Sequence, residues 1–426
     1  MSEFAKLSRP ELEGLQEKLR TRYRQFQTKG LTLDMTRGKP SPEQLDLAND
    51  MLALPGADHF RDDQGTDLRN YGGLDGLPAM KQIFADLISV APEHIIVGGN
   101  SSLALMHDVI LRAMLFGVPG GQGPWREISN LAFLCPCPGY DRHFAICEML
   151  GIRMITLPML PTGPDMDAVE QHLRDDSAIR GIWIVPKYSN PTGITCNAAT
   201  VKRLAEMKAA PDFRIFWDNA YCVHDLQEPG DDLADLMQAC ISAGNTERPI
   251  MFASTSKISF AGSGIAAMAL GPESRKQAID LASKQTIGPD KINQWRHVQF
   301  FQDAAGVRAH MRRHAELLRP RFAAVQDVFE KELGGRGVAT WTQPRGGYFV
   351  SLDVMPGCAR EVVRLAGEAG VKLTAAGATY PGGQDPEDQN LRIAPSLPGA
   401  EEIKIAMEVV SVCVKLAAIG RILKTN

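Results

Sequence analysis

The chain has 426 residues, 44% hydrophobic and 23% charged, which is enough to bury a large core and to organise as two domains or one elaborated domain. Forty-six Lys and Arg against fifty Asp and Glu leave a formal charge of -4 without a long basic run, which argues against a nucleic acid or a membrane surface and leaves a small molecule as partner. Eight scattered cysteines, with Cys135-Pro136-Cys137 the one close pair, lack zinc or redox spacing, so reduced thiols and no metal are expected.

The N-terminus carries Glu3, Glu11, Glu13 and Glu17 among basic residues and has no apolar signal-peptide core, and no apolar run approaches the ~18 residues of a membrane span. A cytoplasmic location is expected. Ser8-Arg9-Pro10-Glu11 has a capping-box serine and glutamate with proline in the first turn, and Leu12, Leu15, Leu19, Tyr23 and Phe26 recur near helical spacing until Lys29-Gly30. This predicts an amphipathic opening helix whose stripe packs on its own chain or on a partner subunit.

From about residue 70 to 285, Ile95–Val97, Leu131–Leu134, Gly181–Val185, Phe213–Trp217, Pro249–Ala253 and Ala266–Leu270 read as strands. They alternate with helical patterns at Ser102–Phe116, Tyr140–Leu150, Ala198–Ala209 and Pro272–Lys284. The alternation predicts an α/β fold with a largely parallel sheet covered on both faces. A long helical pattern from about Ile292 to Leu333, interrupted at Pro320, follows. Tyr348–Leu352, Val371–Leu373 and Leu391–Ile393 then read as strands and Glu401–Leu416 as a closing helix. Residues 61–310 are expected to form a large domain, with 1–60 joining 311–426 in a smaller α/β domain.

Gly98-Gly99-Asn100-Ser101-Ser102 follows a strand and opens a helix, so backbone N–H groups and the helix N-terminus can seat a phosphate. The run is not G-x-G-x-x-G, and no suitable acid follows about twenty residues on, which disfavours a dinucleotide. Asp218 ends one apolar strand, and Lys257 follows another behind Ser254 and Ser256, so both belong at the rim where open α/β sheets bind ligands. A lysine with a lowered pKa can form a Schiff base with an aldehyde cofactor, and a carboxylate can keep a pyridine nitrogen protonated. Asn190, in Ser189-Asn190-Pro191-Thr192-Gly193, and Tyr221 suit a phenolic oxygen, and Tyr140 can stack on a ring. Singly, these read as a surface lysine, a helix cap, a turn and a core aromatic; together they are the groups that hold pyridoxal phosphate. Arg392, in an otherwise apolar strand, invites either a substrate α-carboxylate or an internal Asp or Glu.

With these motifs in this order, the chain resembles fold-type I, class I PLP-dependent aminotransferases, and within them a divergent bacterial aspartate aminotransferase-like subgroup, from about Leu33 to Leu416. The resemblance implies a large domain with a mainly parallel seven-stranded sheet, a smaller α/β domain, and pyridoxal phosphate as cofactor. It implies that Lys257 is the Schiff-base lysine and proton shuttle, and that Asp218 pairs with the ring nitrogen. Tyr221 and Asn190 hold the phenolic oxygen, Tyr140 stacks, and Asn100, Ser101, Ser102, Ser254 and Ser256 surround the phosphate. Tyr71 is implied to reach the phosphate of a neighbouring subunit, hence a homodimer with shared sites. Arg392 takes the substrate α-carboxylate, with a backbone contact from Gly38.

The chain departs from the family pattern twice. Ile265 stands where most class I members have a phosphate-pairing arginine, which leaves that part to Ser263, to backbone amides or to a basic group from elsewhere. No residue unambiguously matches the one that holds a distal carboxylate, and Lys39, Arg37 and Lys291 are the candidates. The activity implied is ping-pong transfer from L-aspartate to 2-oxoglutarate. The alternatives are an aminotransferase for aromatic or aliphatic amino acids, a PLP-dependent β-lyase, or an effector-binding regulator on the same fold. The regulator would need a DNA-binding domain ahead of the family-like region, where no helix-turn-helix precedes it.

Overall fold

The computed structural model describes residues 3–425. Its strands, in chain order, are β1 (Leu33–Asp34), β2 (Ile95–Val97), β3 (Ala132–Cys137), β4 (Arg153–Leu160), β5 (Gly163–Pro164), β6 (Ile179–Ile184) and β7 (Arg214–Asp218). They continue with β8 (Pro249–Ser254), β9 (Ala266–Leu270), β10 (Ala339–Trp341), β11 (Val350–Val354), β12 (Val371–Lys372) and β13 (Asn390–Ile393). The main sheet has the order β2-β9-β8-β7-β6-β3-β4-β5. The run from β8 through β7, β6 and β3 to β4 is parallel, and β9 is antiparallel to both of its neighbours. The expected seven strands are thus present, with the two-residue β5 added antiparallel to the end of β4.

Alternate residues of the central strands enter opposite cores: Ile182, Ile184, Ile215 and Trp217 lie on one side, Trp183 and Phe216 on the other. Both faces being buried is why these strands read as unbroken apolar runs. β4 was not predicted. Leu157 is its one fully buried residue, because the strand runs along the sheet margin, where β5 covers only Met159 and Leu160.

A second apolar core gathers the opening and closing helices with β11 and β13. The opening helix Arg9–Gln27 has the expected capping box, and its stripe residues Leu12, Leu19, Tyr23 and Phe26 are buried on the chain itself, against the closing helix Ala400–Thr425. The long helical pattern breaks at a different place from the one expected. Gln302 adopts φ +66°, and Asp303 then caps a 30-residue helix, Ala304–Leu333, by accepting the Gly306 N–H at 2.8 Å. Pro320 lies inside that helix on its exposed side, so the hydrogen bond it cannot donate is lost to water while Leu318, Phe322, Val325 and Phe329 stay buried. This helix runs from the core under the main sheet, at Ala304, Val307 and Met311, into the second core. Among the described residues, no helix is long and apolar enough to cross a membrane.

Candidate active site

The parallel sheet brings the carboxyl ends of β3, β6, β7 and β8 to one rim, and the residues that follow them meet there. Beyond β8 the chain turns through Thr255 to Lys257, and the turn is fastened from behind. Thr255 and Ile265 exchange backbone N–H to O at 2.8 Å and Ile265 N–H to Thr255 Oγ1 at 2.9 Å. Thr255 Oγ1 and Ser259 Oγ both meet His297 Nε2, at 3.1 and 2.8 Å. The Tyr348 hydroxyl donates to the Lys257 carbonyl at 3.4 Å, and His310 Nε2 donates to the Ile258 carbonyl at 3.0 Å. The Lys257 amine itself is left facing the site, 4.9 Å from the centre of the Tyr221 ring. Burial lowers its pKa below the ordinary value while the Asp218 charge acts against that shift, so this amine gives up its proton more readily than an exposed lysine does.

Asp218, at the end of β7, is buried and hydrogen-bonded through Oδ2 to His143 Nε2 at 3.0 Å. His143 lies in the first turn of helix Asp141–Met149 and stacks on Trp183, with ring centres 4.2 Å apart. Asp218 Oδ1 is buried without any protein partner. A buried carboxylate oxygen with a free lone pair is costly unless a ligand or water supplies a donor, and the protonated ring nitrogen of pyridoxal phosphate fits that need. Tyr140 caps the same helix, half-buried, and burial together with the Asp218 charge pushes its phenol up to about 12. Tyr221 is buried, and its phenol is raised well above the ordinary value by burial and by Tyr140 and Asp218, so it stays a hydrogen-bond donor.

Arg392 enters from β13 in the antiparallel sheet β10-β11-β13, paired in register with Ser351. It is buried, with Cζ 5.1 Å from the centre of the Phe349 ring. Its Nη1 donates to Asp141 Oδ1 at 2.8 Å and to Asn190 Oδ1 at 3.4 Å, and its Nε has no partner. The internal carboxylate expected as one partner of this arginine is thus Asp141, and the Nε donor stays unused. Gly38 belongs to this corner because a Cβ there would lie 2.3 Å from the Phe349 ring. Lys39 and Arg37 are exposed at the same segment, and the Lys39 carbonyl accepts from Ser396 Oγ at 2.9 Å.

At the expected phosphate seat, Ser101 caps helix Ser102–Phe116 by accepting the Ala104 N–H, Ser256 Oγ donates to the Asn100 carbonyl at 3.3 Å, and Asn100 Nδ2 donates to the Gly262 carbonyl at 3.2 Å. Ser254 is buried at the end of β8. Ile265 packs in the core with Trp295 and Val298, so that position staples the lysine turn and offers no charge. Ser263 gives its carbonyl to Asn293 Nδ2 at 3.0 Å. Two expected residues are not brought to this site within the chain. Tyr71 projects into solvent, 81% exposed, and Lys291 is buried with its amine on the Gly72 carbonyl at 2.7 Å.

The family model for aspartate amino-transferases matches residues 7–425. The chain belongs to the aspartate amino-transferase family. An aspartate aminotransferase of Corynebacterium glutamicum is 49% identical over 403 residues, covering 94% of this chain and 93% of that protein. The crystal structure of an aspartate transaminase from the same species superposes with a TM-score of 0.97 at 46% identity, covering 99% of each chain. The α-aminoadipate aminotransferase of Thermus thermophilus, complexed with N-(5'-phosphopyridoxyl)-L-leucine, shares the fold at a TM-score of 0.74 and 21% identity, over 95% of this chain and 96% of that one.

In this aminotransferase, sequence reasoning missed His143, Asp141, Phe349 and the Thr255, Ser259 and His297 set. His143 had a local signal, since three residues after Tyr140 in a helix lies on the same face. Thr255 stands inside the Ser254-to-Lys257 motif, but only its 0% exposure shows that it faces inward as a brace. Asp141, Phe349 and His297 had no such signal, because their partners are distant in sequence.

Proposed function

We propose that this aminotransferase holds pyridoxal phosphate at Lys257 and transfers the amino group of L-aspartate to 2-oxoglutarate by a ping-pong route. The observation that carries the cofactor reading is the partnerless Asp218 Oδ1 at the foot of a site that also contains a desolvated lysine. Bound there, the cofactor would supply an aldehyde for amine exchange and a ring that draws electrons from the substrate's Cα. Asp218, backed by His143, holds a proton at the ring nitrogen; Tyr221 and Asn190 hold the phenolic oxygen, and Tyr140 covers the ring face. Asn100, Ser101, Ser102, Ser254 and Ser256 take the phosphate at the helix N-terminus. Lys257 would be the base that takes the proton from the substrate's Cα and holds it at its own Nζ.

Arg392 and the Gly38 backbone take the α-carboxylate, and exposed Lys39, next to Gly38, is the candidate for a distal carboxylate. Aspartate as donor rests on the Corynebacterium relative's name and on the family. The reading includes a cytoplasmic homodimer in which exposed Tyr71 completes the neighbour's phosphate site, and a small domain made of 1–60 with 311–426 beside the large domain 61–310.

The test is visible absorption of the purified protein during stepwise addition of L-aspartate and then 2-oxoglutarate. The bound aldehyde band should convert to the amine form with aspartate and return with 2-oxoglutarate. A band that responds to alanine or phenylalanine but ignores aspartate moves the donor elsewhere, and a protein that takes up no cofactor overturns the reading.

A further inference from the structure

Arg392 already holds a carboxylate. Asp141 Oδ1 lies 2.8 Å from its Nη1, and the two side chains differ in freedom: Arg392 is 8% exposed and Asp141 35%. The guanidinium is fixed by its strand, by the Phe349 ring and by Asn190, so of the two partners Asp141 is the one that can move. Asp141 is also the first residue of helix Asp141–Met149, where the unpaired N–H groups and the helix dipole favour an anion even when the arginine is given up.

We propose that Asp141 is a resident competitor for the substrate's α-carboxylate: it occupies Arg392 in the resting enzyme and must yield, or sit as a repelling neighbour, when substrate binds. This rests on the reading of Arg392 as the carboxylate-binding arginine. Two carboxylates on one guanidinium repel each other, and in a partly buried site that repulsion is screened less than in water. The resident anion therefore sets the affinity for substrate and product carboxylates below what the arginine alone would give. Binding that does not distinguish ground state from transition state only lowers KM, so this weakening costs the chemical step nothing and speeds release of the oxo acid.

The experiment measures the dissociation constant of maleate, an unreactive dicarboxylate, by calorimetry on the cofactor-loaded enzyme, for the parent, Asp141→Asn, Asp141→Ser and Arg392→Gln. Asparagine keeps shape and helix-start propensity while removing the charge, and serine checks that the effect follows charge and not amide contacts. Asp141→Asn should tighten maleate about tenfold, Asp141→Ser should shift it the same way, and Arg392→Gln should abolish binding. Unchanged or weaker maleate binding in both Asp141 variants, with Arg392→Gln still inactive in binding, overturns the competition and leaves Arg392 in its role. Maleate binding that survives Arg392→Gln removes the arginine reading, and the competition falls with it.

Discussion

At Thr255 one hydroxyl accepts the Ile265 N–H at 2.9 Å and meets Ser259 and His297, all buried behind the lysine turn. Replacing it with valine keeps the volume and strands those donors, a change that costs about 1–3 kcal/mol. Thr255→Val should therefore lower the unfolding free energy from urea titration by that amount and reduce turnover with it, since the same hydroxyl sets where Lys257 leaves the strand; an unchanged free energy would mean the brace is not made. Lys257 and Asp218 stood out as site candidates in the sequence because the ends of parallel strands carry them, and Arg392 because a lone guanidinium interrupts an apolar strand. The braces did not, because a buried threonine and a surface threonine are written alike until the packing is known.

Helices and strands show a similar division. Caps are local, and Ser8 with Glu11 marked the first helix correctly, the Glu11 carboxylate accepting the Ser8 N–H at 2.7 Å. Pro320 misled the reading of the long helix because its effect depends on which side of the helix loses a hydrogen bond, and that side is solvent. Pro320→Ala restores an N–H without disturbing buried neighbours and should stabilise the protein by about 1–3 kcal/mol in chemical unfolding. No gain would show that the ring's restriction of the unfolded chain offsets the recovered bond. β4 escaped detection for the opposite reason: a strand at a sheet margin needs no continuous apolar run, and its register comes from β3 alone along most of its length.

For the whole molecule, buried charge and buried imidazole decide how stability responds to conditions. Glu332 is shared by Lys415 at 2.5 Å and Arg22 at 3.0 Å, tying the opening, long and closing helices together. Burial pushes the Glu332 carboxyl up, but the hydrogen bonds and charges of Lys415 and Arg22 outweigh it and leave the pKa below the ordinary value. Glu332→Gln leaves Lys415 buried without a counter-charge and should cost about 3–5 kcal/mol by equilibrium unfolding. A loss under about 1 kcal/mol would mean water already reaches the pair.

The buried rings of His297 and His310 are pushed down to about 4, and His314 to about 3, in each case first by burial. Their folded values lie below the ordinary 6.5, so the unfolded chain binds more protons in between. Stability should be full above about pH 6.5 and fall as pH drops toward 4, and unfolding free energies taken in steps across that window check it. A flat profile there would show that these rings are not desolvated. His297 also braces the lysine turn, so acid should release cofactor before the chain unfolds as a whole.

The family motifs, the strand–helix alternation and the helix caps are properties of short stretches, whose chemistry and periodicity act over a few residues; these were readable along the chain. Asp218 with His143, 75 residues apart, and Arg392 with Asp141, 251 apart, exist only because the sheet order places β3 two strands from β7 and the second core folds β13 back over the rim. Which carboxylate a buried arginine meets, and which face of a helix water wets, are decided by long-range packing, where pairing energy depends on burial and distance that no local pattern encodes.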